Sequence, residues 1–142
     1  MILIVSAPGG HLTVAQELFE DCPDSFEYQF VVSSKKNPAI NDANFIYIAE
    51  SNRDWRFFLQ LAQSLKIIHK LKPKAIVSTG AGIAIPFFVW AKVLRIRTVF
   101  IESASRVNSL SCSGWLAYRV VDRFYIRNKS LASKYPRAIY CE

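Results

Sequence analysis

Three short stretches carry residue types able to do chemistry. Pro8-Gly9-Gly10-His11 places two glycines before a histidine. Glycines at such a turn let backbone N–H groups approach an anion, and a helix starting there adds positive potential. His11 falls in the first turn of that helix. A neutral imidazole accepts a proton from a sugar hydroxyl or donates a hydrogen bond to a phosphate. Thr79-Gly80-Ala81-Gly82 is a second turn of small residues suited to an anion. In Phe100-Ile101-Glu102-Ser103 a carboxylate follows an apolar run, with Arg106 three residues beyond Ser103. Glu102 suits a general base or a hydroxyl-binding group, and the planar fork of Arg106 suits a phosphate.

Each stretch also has a plainer reading. The first is a tight turn with a capping histidine, and the second is close strand-to-helix packing around Ala81. Glu102 caps a neighbouring helix or pairs with Arg106, and Arg106 is a solvated loop residue. The first glycine of a G-x-G-x-x-G fingerprint is missing before Gly9, so a dinucleotide site is poorly supported.

The elements that must hold these residues alternate. Ile2–Val5, Tyr28–Val32, Phe45–Ile48, Ala75–Ser78, Thr98–Ile101, Phe124–Ile126 and Ala138–Tyr140 are short apolar runs with strand character. Helical patterns cover Leu12–Phe19, Trp55–Leu71, Ile83–Leu94 and Leu116–Val121, and the polar stretch Lys35–Asn44 with Pro38 is a loop. Strand, helix, strand at intervals of roughly 20–30 residues predicts one α/β domain over 1–142. It is a single Rossmann-like parallel sheet with helices on both faces. Right-handed crossovers put the carboxyl ends of all strands on one edge, where ligands bind. Ser6 to His11, Ser33-Ser34, Ser78 to Gly82, Glu102-Ser103 and Arg127-Asn128 all fall just after strands. Glycine, small and polar residues gather there, while the strands themselves are apolar.

Composition bounds the function. With 51% apolar residues the chain is not disordered, and 18 Lys/Arg against 11 Asp/Glu leave it at +7, which points to an anionic partner. So apolar a chain with that charge also points to a large interface. The three cysteines, Cys22, Cys112 and Cys141, contain no Cys-x-x-Cys, so neither a disulfide framework nor a zinc site is expected, and no metal or cofactor is called for. The amino end has no signal peptide, and no apolar run approaches the ~20 residues of a membrane span. No recognition helix or ribonucleoprotein motif supports a nucleic-acid partner.

Trp55 to Leu71 is apolar over more than half its circumference and interleaved with Arg53, Arg56, Lys66, Lys70, Lys72 and Lys74. Trp55, Phe57 and Phe58 therefore suit an anionic lipid surface or a partner subunit, although a helix wedged into the core also explains them. Phe87, Phe88 and Trp90 form a second candidate contact patch, which a buried helix explains equally well.

At Gly9-Gly10-His11-Leu12, Ser78-Thr79-Gly80-Ala81-Gly82 and Ile101-Glu102-Ser103-x-x-Arg106 the sequence resembles a known family. That family is the acceptor-binding, membrane-associating subunit of the two-subunit N-acetylglucosaminyltransferase of dolichol-linked oligosaccharide synthesis. The resemblance is closer to its bacterial counterparts in capsule and exopolysaccharide assembly. It spans essentially the whole chain, and the single-chain enzyme that adds N-acetylglucosamine to the peptidoglycan lipid precursor carries a similar Gly-Gly-His turn. Two departures stand out. Eukaryotic members begin with a membrane-spanning helix, whereas the first strand here begins at Ile2. Their turn has a further glycine where this chain has Ala7-Pro8.

The resemblance implies the amino-terminal half of a GT-B glycosyltransferase. The nucleotide-sugar subunit is then a separate partner, and a polyprenyl-diphosphate-linked saccharide is the acceptor. It also implies peripheral attachment to the cytoplasmic face of a bacterial membrane. His11 and Glu102 are the candidate catalytic groups, either one the base, and no metal is required. Gly9, Gly10, Thr79, Gly80, Gly82, Ser103 and Arg106 are the candidate substrate-binding residues. The competing expectations are a non-catalytic scaffold that activates a glycosyltransferase, and a small nucleotide- or nucleic-acid-binding Rossmann protein.

Overall fold

The computed structural model describes residues 1–34, 44–50 and 54–142. Seven strands form one sheet: β1 (Ile2–Ser6), β2 (Tyr28–Ser34), β3 (Phe45–Ala49), β4 (Ala75–Ser78), β5 (Arg97–Ile101), β6 (Arg123–Ile126) and β7 (Ile139–Tyr140). Their order is β3-β2-β1-β4-β5-β6-β7, and every pairing is parallel. The helices are α1 (Gly10–Glu20), α2 (Arg56–Leu71), α3 (Ala84–Leu94) and α4 (Cys112–Val120), with a 3-10 turn over Lys129–Leu131 that sequence periodicity did not indicate. The loop expected over Lys35–Asn44 lies outside the described residues apart from Asn44, as does Arg53.

Alternation along the strands sorts the core into two layers. Ile4, Phe30 and Val32 face α1 and pack with its Ala15. Leu3, Val5, Ile76, Phe100 and Phe124 face the other way, into a larger core shared with Ile68 of α2, Phe87 and Phe88 of α3 and Ala117 of α4. Helices thus cover both faces. Phe87 and Phe88 are 0% and 1% exposed, so they are core residues and not a contact patch. The cause is position: α3 lies between α2 and α4 over the sheet, and Phe88 meets the ring of Phe100. Trp90 leaves the proposed patch as well, because its indole N–H donates to the Leu61 carbonyl at 2.9 Å and hooks α3 to α2.

The buried residues of α2 are Gln60, Ser64 and Ile68, one turn apart. Gln60 is buried because its amide donates to the carbonyl of Ala49 at 2.8 Å, tying α2 to the end of β3. The helix therefore turns polar residues inward at its start and leaves Trp55, Phe58 and Leu59 exposed at 67%, 71% and 44%. Trp55 occupies the N-cap position without a side-chain capping bond, so the helix begins one residue later than the sequence pattern suggested. The lysines expected to rim this surface lie elsewhere. Lys70 is in the last turn and Lys72 and Lys74 follow it, at the opposite, amino edge of the sheet where β4 begins.

Candidate functional site

In the sheet β1 and β4 are neighbours, yet the chain leaves β1 toward β2 and leaves β4 toward β5. Connections that diverge in this way open a crevice at the carboxyl ends of the two strands. The Gly9-Gly10-His11 turn follows β1, and Thr79-Gly80-Ala81-Gly82 follows β4. The crevice is stitched together by side chains: the hydroxyls of Ser6 and Thr79 lie 3.3 Å apart, and that of Thr79 donates to the His11 carbonyl at 2.7 Å. His11 Nδ1 lies 3.0 Å from the Thr79 carbonyl oxygen. A carbonyl only accepts, so Nδ1 carries the proton, and in the neutral ring Nε2 keeps its lone pair.

Two of the glycines are demanded by this geometry. Gly80 has φ +132°, and a Cβ added there would lie 2.6 Å from His11 Nδ1. Gly9, at the N-cap position of α1, has φ +88°. Gly10 and Gly82 are different. Neither has a positive φ, and a Cβ on either would meet nothing within 4 Å. Ala81, between the small residues of the second turn, is itself held at φ +76°. The first turns of α1 and α3 contain no acidic residue and have no side-chain cap, so both present positive helix ends to the crevice.

Two cavities flank the imidazole. The larger, about 860 Å³, is lined by Phe57, Ile85 and Leu116 on its apolar side and by Gly82, Ser103 and Arg106 on its polar side. The smaller, about 350 Å³, runs along Gly10, Val14, Thr79 and Arg127. His11, Glu102 and Ser103 border both. Phe57, half-buried, thus lines the larger cavity, whereas Trp55 and Phe58 stand exposed at the same end of α2.

Glu102 is 1% exposed. Its Oε1 accepts from the N–H of Ser103 at 3.0 Å and its Oε2 from the N–H of Ser111 at 2.9 Å, while the Ser111 hydroxyl reaches both oxygens. The carboxylate therefore caps α4, which is the plainer of the readings its sequence position allowed. Arg106 is exposed and has no ion-pair partner among the described residues. Ser111 and Gly114 escaped the sequence reading, although a serine before an apolar run is a helix-start signal. Among the described residues no cluster of three His, Cys, Asp or Glu is placed to hold a metal ion, and no helix is long and apolar enough to cross a membrane.

A family model described as "Oligosaccharide biosynthesis protein Alg14 like" matches residues 54–142, more than half of the chain. The chain belongs to the Alg14-like family. The UDP-N-acetylglucosamine transferase subunit ALG14 of Yarrowia lipolytica is 38% identical over 88 residues, 58% of this chain and 41% of its own length. The human subunit of that name is 23% identical over 173 residues, 98% of this chain and 80% of its own. Among solved structures, MnaA of Staphylococcus aureus with UDP superposes with a TM-score of 0.76 at 12% identity, and MurG of Acinetobacter baumannii with 0.66 at 17%. Each alignment covers 98% of this chain and 44% of the other. The chain thus spans less than half of the Yarrowia relative and of both solved chains. Its fold is that of one Rossmann-like part of those longer chains.

Proposed function

We propose that this chain is the acceptor-binding, membrane-associating subunit of a two-component glycosyltransferase. Acting as one Rossmann-like unit over residues 1–142, it forms one wall of a groove. A partner subunit carrying the nucleotide sugar forms the other, and a polyprenyl-diphosphate-linked saccharide is the acceptor. The carrying observation is the His11 ring, fixed through Nδ1 on the Thr79 carbonyl and bordering both cavities. Support also comes from the relatives' own description as UDP-N-acetylglucosamine transferase subunits.

In the reaction His11 Nε2 takes the proton of the acceptor hydroxyl as its oxygen attacks the anomeric carbon. The bond to the nucleoside diphosphate breaks, and that group leaves with the electron pair. The configuration at the anomeric carbon inverts. General-base assistance of this kind contributes about 10²–10⁴-fold. Glu102 has both oxygens occupied by the α4 cap, which favours His11 over it as the base. The uncapped starts of α1 and α3, the approach allowed at Gly10 and Gly82, and the free guanidinium of Arg106 suit the acceptor's diphosphate. Phe57, Ile85 and Leu116 suit the beginning of its lipid chain. Trp55, Phe58 and Leu59, with Arg56 beside them, suit a peripheral seat on an anionic membrane. The Ala7-Pro8 start of the turn, which departs from the eukaryotic pattern, supports the reading of a bacterial member, whose seat would be the cytoplasmic face of the membrane.

The test is transfer by the reconstituted pair. His11→Ala is expected to lower turnover by about 10²-fold or more without dissociating the subunits. Full activity in that variant, with loss only on altering Trp55 and Phe58, leaves a scaffold that recruits its catalytic partner.

A further inference from the structure

We propose that Glu102 is a positioning residue. With Ser111 and Gly114 it pins the start of α4 to the end of β5, and so fixes the loop 103–110 that presents Arg106 to the larger cavity. The inference rests on the functional reading above for what Arg106 binds, but the clip itself does not.

The geometry is closed on every side. The N–H groups of Ser103 and Ser111, at the two ends of the loop, each donate to one oxygen of the same carboxylate. The Ser111 hydroxyl lies 3.0 and 2.9 Å from those two oxygens, while its own oxygen accepts from the N–H of Gly114 at 2.9 Å. That last bond directs the hydroxyl proton onto Glu102. Gly114 completes the clip by having no side chain: a Cβ there would lie 1.9 Å from Oε2 and 2.8 Å from the Ser111 hydroxyl oxygen. Glutamate, serine and glycine at 102, 111 and 114 are thus one device.

The far side of the loop is tied as well. Lys134 donates to the Asn108 carbonyl at 2.7 Å, and the Ser130 hydroxyl to that of Val107. Within the loop, the Arg106 N–H donates to the Ser103 carbonyl at 3.1 Å. The backbone of Arg106 is therefore held, while its guanidinium is exposed and without an ion-pair partner among the described residues. A loop fixed before the ligand arrives loses less freedom on binding. A general base needs an oxygen open to the hydroxyl it deprotonates. Glu102, at 1% exposure and with both oxygens engaged, does not offer one.

The test compares Glu102→Gln and Ser111→Ala with the unaltered chain; the serine variant, the milder of the two, carries the test if the first does not fold. Trypsin cleavage after Arg106, followed by mass spectrometry, is expected to quicken about tenfold relative to cleavage after Lys66 and Lys70 on α2. Unchanged cleavage after Arg106 overturns the clip. In the reconstituted transferase, the KM for the lipid-linked acceptor is expected to rise about tenfold with kcat nearly preserved. A fall in kcat of about 10²-fold at unchanged KM makes Glu102 the base and overturns the positioning role. If the unaltered pair transfers no sugar, the functional reading fails, while the cleavage pattern still decides the clip.

Discussion

His11 and Thr79 are 68 residues apart, yet each bonds the other's backbone: the imidazole Nδ1 lies 3.0 Å from the Thr79 carbonyl, and the Thr79 hydroxyl donates to the His11 carbonyl at 2.7 Å. The turn after β1 and the turn after β4 are thereby locked together across the crevice. The orientation of the ring is set by a backbone oxygen, which cannot rotate away or titrate as a carboxylate partner would. The same lock fixes which nitrogen is left to accept a proton.

Gly80 is the residue on which that lock depends most directly. A methyl group at this position would lie 2.6 Å from Nδ1 and 2.7 Å from Cε1 of His11, on a backbone at φ +132°. Gly80→Ala is expected to destabilise the fold by about 1–3 kcal/mol through the backbone alone. It is also expected to reduce transfer as severely as His11→Ala, because the ring must turn to make room. Thermal unfolding measures the first effect and initial rates the second. Wild-type rates in a folded Gly80→Ala protein would remove His11 from the reaction.

Gly10 predicts the opposite sign for stability. It is the first residue of α1, has no positive φ, and a Cβ there would meet nothing within 4 Å. Gly10→Ala is therefore expected to stabilise the protein by about 0.4–1 kcal/mol, by restricting the unfolded chain. The new methyl projects at the rim of the smaller cavity, so acceptor binding is expected to weaken while the melting temperature rises. A variant that is more stable and equally active would mean that no ligand approaches the backbone here.

Much of this was legible before any coordinates. The four residues of β4, Ala75–Ser78, were bounded correctly because a continuous apolar run meets lysine and proline on one side and a glycine turn on the other. Parallel strands joined by helices then fixed the edge on which His11, Thr79 and Glu102 gather. Sequence reasoning failed where polar residues are buried and apolar ones are not. Periodicity alone does not reveal that Gln60 turns inward to reach Ala49 while Trp55 and Phe58 stay exposed, nor does it separate the core reading of Phe87 and Phe88 from the contact-patch reading. A helix-capping role was among the readings open to Glu102, but its partners Ser111 and Gly114 were not foreseen, because a strand end and a helix start meet only in tertiary structure.

The aromatic residues of α2 and α3 separate an exposed surface from a core contact. Trp55 and Phe58 are 67% and 71% exposed at the carboxyl edge, whereas Phe87 is fully buried. Phe87→Ala is expected to cost about 3–5 kcal/mol of stability, as for any large residue removed from a packed core. Trp55→Ser and Phe58→Ser are expected to leave the melting temperature within a few degrees of wild type, because neither ring is packed inside. Each ring inserted into a bilayer interface contributes on the order of 1.5–3 kcal/mol, so each loss is expected to weaken vesicle binding by roughly tenfold or more. Val93 supplies the control, since it is 67% exposed but lies near the carboxyl end of α3, at the opposite edge of the sheet. Val93→Ser is expected to leave sedimentation with phosphatidylglycerol vesicles unchanged. Equal losses in all three serine variants would mean that the apolar surface acts without regard to position. The membrane would then have no preferred side, and the carboxyl edge no special claim to a lipid-linked acceptor.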